Sequence, residues 1–103
     1  MTIVAARHIL AAQQVRLGLS AWVICLTWGT KAEMAGVDGT CMWQPEYDHA
    51  IIKLNRAQAD DEIPRTICHE LIHIVLQGHA PHTGKYSEMW ERAINKLVNA
   101  IVS

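Results

Sequence analysis

Ile63-Pro64-Arg65-Thr66-Ile67-Cys68-His69-Glu70-Leu71-Ile72-His73-Ile74-Val75-Leu76-Gln77-Gly78 is the stretch on which the reading of this chain turns. Asp60, Asp61 and Glu62, just ahead of it, put negative charge where a helix macrodipole favours it. Pro64 suits a first helical turn, where its missing N–H costs little, and Gly78 is a natural stop. A helix over about residues 63–77 is therefore expected. Positions i and i+4 lie ~40° apart around a helix and one turn apart along it. The imidazoles of His69 and His73 can thus reach one metal ion from the same face. Glu70 stands ~100° round from His69, beside the metal and not on it, where it can take a proton from an activated water. Ile63, Ile67, Leu71, Ile74 and Val75 fall on the opposite side and can pack on a sheet. Two ordinary hydrogen-bonded histidines would be the plainer explanation, but Glu and His together on one mid-helix face are a poor way to fill space.

On the C-terminal side, a polar loop with His79, Pro81, His82 and Gly84 leads to a last helix over about residues 86–102, with Trp90, Ile94, Leu97 and Ile101 on one stripe. On the N-terminal side, residues 1–20 carry Ile3, Ala6, Leu10 and Leu17 at helical spacing. Residues 21–28, 40–43 and 48–54 read as strands. Lys31 to Gly39 is a turn-rich connection, and Gln44-Pro45-Glu46 is a turn. Pairing of neighbours in sequence makes a three-stranded, mainly antiparallel sheet. The expected architecture is α+β, in a single domain over residues 1–103: N-terminal helix, sheet, HExxH helix, C-terminal helix. Trp22, Trp28, Trp43 and Trp90, in a chain with no Phe, are expected to supply the large core side chains.

Composition excludes several classes. Nine Lys and Arg against ten Asp and Glu give a formal net charge of −1, without the basic excess of a nucleic-acid binder, so no direct nucleic-acid contact is expected. No apolar run approaches the ~20 residues that cross a bilayer, so no membrane partner is expected. Arg7, His8, Gln13, Gln14 and Arg16 interrupt the apolar core that a signal peptide needs. Cys25, Cys41 and Cys68 are odd in number and form no CxxC, which points to free thiols in a reducing compartment and so to the cytoplasm.

The string Thr66 to Leu76 resembles the active-site helix of the zincin metallopeptidases. The order of elements resembles the small gluzincin members, including short phage-type and ImmA/IrrE-like domains, with Gln44-Pro45-Glu46-Tyr47 and Ala50-Ile51-Ile52-Lys53-Leu54 similar to their last hairpin. Ala35-Gly36 ahead of Cys41, and His82-Thr83-Gly84-Lys85-Tyr86, resemble pieces of the SprT-like zinc proteases, the runner-up. These resemblances imply Zn²⁺ as cofactor and a peptide or protein as substrate.

The third protein ligand separates the branches. A gluzincin takes a Glu from the following helix, and Glu91 borders the apolar stripe there beside Ile94 and Val98, whereas Glu88 points away from it. Glu91 is therefore the first candidate. His82 is second, through its SprT-like spacing to Tyr86. His79 is third, at the metzincin spacing, although Leu76 stands where that branch needs Gly. A histidine left off the metal, Tyr86 or Arg92 could stabilise charge on a tetrahedral intermediate. Cys68 reads as a small packed thiol. The expected activity is zinc-dependent peptide hydrolysis with His69, His73 and Glu91 on the metal and Glu70 as general base. The alternatives are a non-catalytic zinc-containing regulatory or interaction module and a SprT-like protease acting on DNA-bound proteins.

Overall fold

The computed structural model describes residues 1–76 and 84–102, less the side chains of residues 45, 84–87 and 90. In chain order the elements are α1 (Ile3–Arg16), β1 (Val23–Gly29), α2 (Lys31–Met34), β2 (Gly39–Gln44), β3 (His49–Asn55), α3 (Ile63–Val75) and α4 (Gly84–Val102). Single 3-10 turns lie at Pro45–Tyr47 and Asp60–Glu62. The architecture is α+β, as expected, and none of the described helices is long and apolar enough to cross a membrane.

The sheet order is β1-β3-β2, and the sheet is mixed. β1 runs parallel to β3, from Val23↔His49 to Gly29↔Asn55. β2 runs antiparallel to β3, from Gly39↔Leu54 to Gln44↔His49. The expectation that β1 would pair with β2, in a mainly antiparallel sheet, is corrected here. The connection between them is long enough to carry the chain to the far edge. The tight turn at Pro45–Tyr47, with Asp48 at φ 51, then folds β3 back between its two predecessors. That connection also holds α2, where the sequence pattern predicts turns. The Thr30 side chain accepts from the Glu33 N–H while Glu33 accepts from the Thr30 N–H, a reciprocal cap that starts a helix. Ala35 in the left-handed region at φ 50 ends it.

Strand alternation sends Leu26, Ile52, Leu54 and Ala50 to one face, where α1 and α3 cover them. Ala6 and Leu10 of α1, and Ile63, Ile67, Leu71 and Ile74 of α3, complete this core. Burial of each such Leu or Ile stabilises by about 1.5–3 kcal/mol. Val75, expected on the packed side, is exposed. Trp22, Trp28 and Trp43 lie partly buried around the core, whose largest fully buried side chains are Leu and Ile. A second, smaller core joins α3 to α4 through Cys68, Ile72, Ile94 and Val98. The packed stripe of α4 therefore runs through Ile94 and Val98, while Leu97, expected on it, is exposed.

Candidate metal centre

α3 lies between the sheet and α4, so its two flanks have different tasks. Ile63, Ile67, Leu71 and Ile74 hold it to the sheet, and Cys68 and Ile72 hold it to α4. His69 and His73, half-buried, emerge on a flank that faces Glu91 of α4. Their Nε2 atoms lie 3.1 Å apart. Glu91 bridges them, with Oε2 at 3.1 Å from His69 Nε2 and Oε1 at 2.9 Å from His73 Nε2. One donor atom from each of the three residues falls within 4.8 Å of the others.

This arrangement fits a small tetrahedral ion. Zn–N and Zn–O bonds of about 2.0–2.1 Å place neighbouring tetrahedral ligand atoms about 3.3 Å apart. The observed separations of 2.9–3.1 Å need only slight spreading. Two further features suit metal binding. The His69 Nδ1 is 3.1 Å from Asn95 Oδ1, so the ring donates there and leaves Nε2 with its lone pair toward the other two donors. Burial holds the His73 pKa below its usual value, against the opposing pull of Glu91, which favours the neutral imidazole that binds metals.

Glu70 lies against β2 and is 8% exposed. Gly39 explains how β2 comes so close to it. A Cβ built on Gly39 would meet Thr66 Cγ2 at 2.6 Å and Glu70 Oε1 at 3.5 Å, so strand and helix touch where a side chain has no room. Burial, with the charge of Glu91 as a lesser cause, pushes the Glu70 pKa up to about 7. A carboxylate poised near neutrality is matched to exchanging a proton with water. Burial, aided by the Glu70 charge, pushes the Cys41 thiol on β2 up to about 12, so it stays protonated and inert.

The structure thus brings together His69, Glu70, His73 and Glu91 from the sequence reading. His79 and His82 lie outside the described residues, as does the Tyr86 side chain. Arg92 is exposed on α4. Cys68 is buried as the packed thiol expected of it. Asp60 and Asp61 are solvated, and Asp60 pairs with the Met1 amino group at 2.9 Å. Asn95 was missed. Its signal was present in the chain, because a residue four positions after Glu91 lies on the same face of α4.

An HExxH helix packed on a small mixed sheet, with a His-His-Glu group at its flank, defines the zincin-like class. Residues 7–103 match the model of the SprT-like family, and the chain belongs to that family of zincin-like metalloproteases. No curated protein and no solved structure matches. The family is the one that the His82-Thr83-Gly84-Lys85-Tyr86 resemblance pointed to, and the comparisons give no support to the minimal gluzincin or ImmA/IrrE-like placement.

Proposed function

We propose that this protein is a zinc-dependent peptidase in which His69, His73 and Glu91 hold the metal and Glu70 is the general base. The observation that carries the reading is the convergence of three donor atoms within 4.8 Å, with a buried, proton-accepting carboxylate next to them on α3. When bound, zinc would supply Lewis-acid activation of water and stabilise negative charge developing on the substrate carbonyl. Glu70 accepts the proton of the attacking water at its carboxylate and returns it to the departing amine. The Gly39–Glu70 approach holds that carboxylate out of bulk solvent. Asn95 fixes the His69 ring. Among the described residues β2 is an edge strand with its outer backbone groups unpaired in the sheet, so an extended peptide can add to it as a further strand next to Glu70. The three free cysteines support placement in a reducing compartment such as the cytoplasm.

Glu70→Gln tests the activity. The variant is expected to keep its zinc and lose hydrolysis of a denatured protein substrate. Undiminished hydrolysis would sink the assignment, and loss in wild type as well would favour a non-catalytic zinc module.

Family membership favours a second reading of the ligand set, in which His82 replaces Glu91, and of the substrate, in which the targets are proteins bound to DNA. With a formal net charge of −1, contacts to the DNA itself would then come from a partner. Zinc titration separates the ligand sets. Glu91→Ala is expected to lose far more affinity than His82→Ala, His79→Ala or Glu88→Ala. Loss in His82→Ala with retention in Glu91→Ala would establish the second set.

A further inference from the structure

A cavity of about 230 Å³ adjoins the candidate metal centre on the Asn95 side, between α3 and α4. It is smaller than the ~300 Å³ at which pockets begin to hold drug-sized ligands, so it is sized for one side chain. Glu62, Thr66 and His69 line it along one face of α3. Seven residues at 1.5 Å each put Glu62 about 10 Å along the axis from His69. One end of the cavity is therefore at a candidate ligand, and the other is at a carboxylate. Asp38 adds a second carboxylate at the Thr66 end. Its backbone is pinned, since Asp38 O accepts from Asn55 N at 2.8 Å and from Gln58 Nε2 at 3.0 Å.

The lining groups are not equally available to a ligand. The Thr66 hydroxyl donates to Gln58 Oε1 at 2.7 Å and lies 3.1 Å from Glu62 O. Asn95 Oδ1 is taken by His69. The Arg65 guanidinium, the one cation among these lining residues, donates to Asn99 Oδ1 across the α3–α4 seam. Among the described residues, neither Asp38 nor Glu62 is in an ion pair. Val98, 2% exposed, gives the wall an apolar patch. The Val98 patch beside two carboxylates that have no ion pair among the described residues suits a side chain with a methylene stem and a cationic end. A lysine stem spans about 6 Å from its Cα, and the step of about 3.8 Å between neighbouring Cα atoms brings the reach to about 10 Å, so a residue next to a peptide bond at His69 can reach the far carboxylates.

We propose that this cavity is a specificity pocket that takes a Lys or Arg side chain flanking the scissile bond, with Asp38 and Glu62 reading its charge. The proposal rests on the peptidase reading above and names the substrate class that the site prefers. Asp38 and Glu62 are specificity residues and not part of the hydrolytic machinery.

The test uses the zinc-loaded protein and fluorogenic peptides that differ at a single flanking position, carrying Lys, Arg, Ala or Glu. At one such position Lys and Arg are expected to raise kcat/KM at least tenfold over Ala. The double variant Asp38→Asn/Glu62→Gln is expected to abolish that ratio while the Ala peptide is cleaved as before. Equal rates for Lys and Ala peptides, a preference for Glu, or a Lys preference that survives in the double variant would each overturn the proposal. If no peptide is cleaved, the peptidase reading fails and the pocket is judged by binding. Acetyl-lysine amide, but not acetyl-alanine amide, is then expected to shift the side-chain amide resonances of Asn95 and Asn99 in Glu70→Gln. That shift should vanish when the two carboxylates are neutralised, and no lysine-specific shift would overturn the pocket as well.

Discussion

At the residue scale, Asn95 and Glu70 have opposite relations to solvent, and their variants should behave accordingly. Asn95 is exposed, and its visible task is to accept from His69 Nδ1. Asn95→Ala should therefore leave the melting temperature of the metal-free protein nearly unchanged and weaken zinc binding by about 10–100-fold, the usual cost of losing such an outer hydrogen bond. Asn95→Asp, which keeps an acceptor, should restore affinity. Equal zinc affinity in Asn95→Ala would show that His69 needs no such support. Glu70 is buried, and its pKa rises from 4.5 to about 7 in the fold. The folded state holds the proton more tightly than the unfolded state, so the stabilisation is complete below pH 4.5 and is lost as pH rises through 7. In the metal-free protein Glu70→Gln lacks this loss, while the titration of His73 is common to both proteins. The stability of the variant relative to wild type should grow between pH 4.5 and 8, by at most about 3 kcal/mol. Parallel urea-denaturation profiles across that range would show that Glu70 is not desolvated.

At the scale of elements, the meeting of β2 with α3 decides where the general base sits, and it depends on a missing side chain. Gly39→Ala puts a Cβ 2.6 Å from Thr66 Cγ2, a clash of overpacking that costs about 1–3 kcal/mol. Thr66→Ser removes that methyl and keeps the hydroxyl that bonds Gln58. The double variant should therefore be more stable than the two single changes predict, a coupling that denaturant melts can measure. Strict additivity would place the contact elsewhere.

The same scale shows what the sequence made legible. The HExxH helix was readable because its signals are local: charge before it, Pro64 in its first turn, and imidazoles at i and i+4. Glu91 was readable as a candidate because it borders Ile94 and Val98, which are buried against α3. The Thr30–Glu33 cap was equally local and went unread beneath the neighbouring glycines. Strand order was not readable. Whether β3 pairs with β1 is settled by how α1 and α3 cover Leu26, Ile52 and Leu54 together, a property of the packed sheet that no strand carries alone. The expected stripe of α4 holds at Ile94 and Ile101 and departs at Leu97 for a related reason. Leu97 and Ile94 are equally apolar in the sequence, and the partner surface of Cys68 and Ile72 selects the face containing Ile94 and Val98.

At the scale of the whole molecule, α4 is held by a small core of Cys68, Ile72, Ile94 and Val98, with Ile101 and Val102 at its margin. The larger core lies on the other side of α3 and, among the described residues, includes none from α4. A metal bound by His69 and His73 of α3 and Glu91 of α4 would tie that helix to the rest of the protein. Free energy of binding to the native state alone appears as folding stability, about 4 kcal/mol when free zinc stands a thousandfold above Kd. For a domain of this size each 1 kcal/mol shifts the midpoint by roughly 4–8 °C. Chelation should therefore lower Tm by more than about 10 °C, and the amides of α4 should gain more exchange than those of α1, which is anchored through Ala6 and Leu10 in the larger core. Glu91→Ala should melt at the chelated temperature whether or not zinc is present, because it removes the ligand that bridges the two helices. If chelation changes neither Tm nor α4 exchange, the three donor atoms do not share an ion in the native fold. If Tm falls in the wild type and the Glu91→Ala protein still gains stability from zinc, the bridge is made by another residue, and the family's alternative at His82 takes its place.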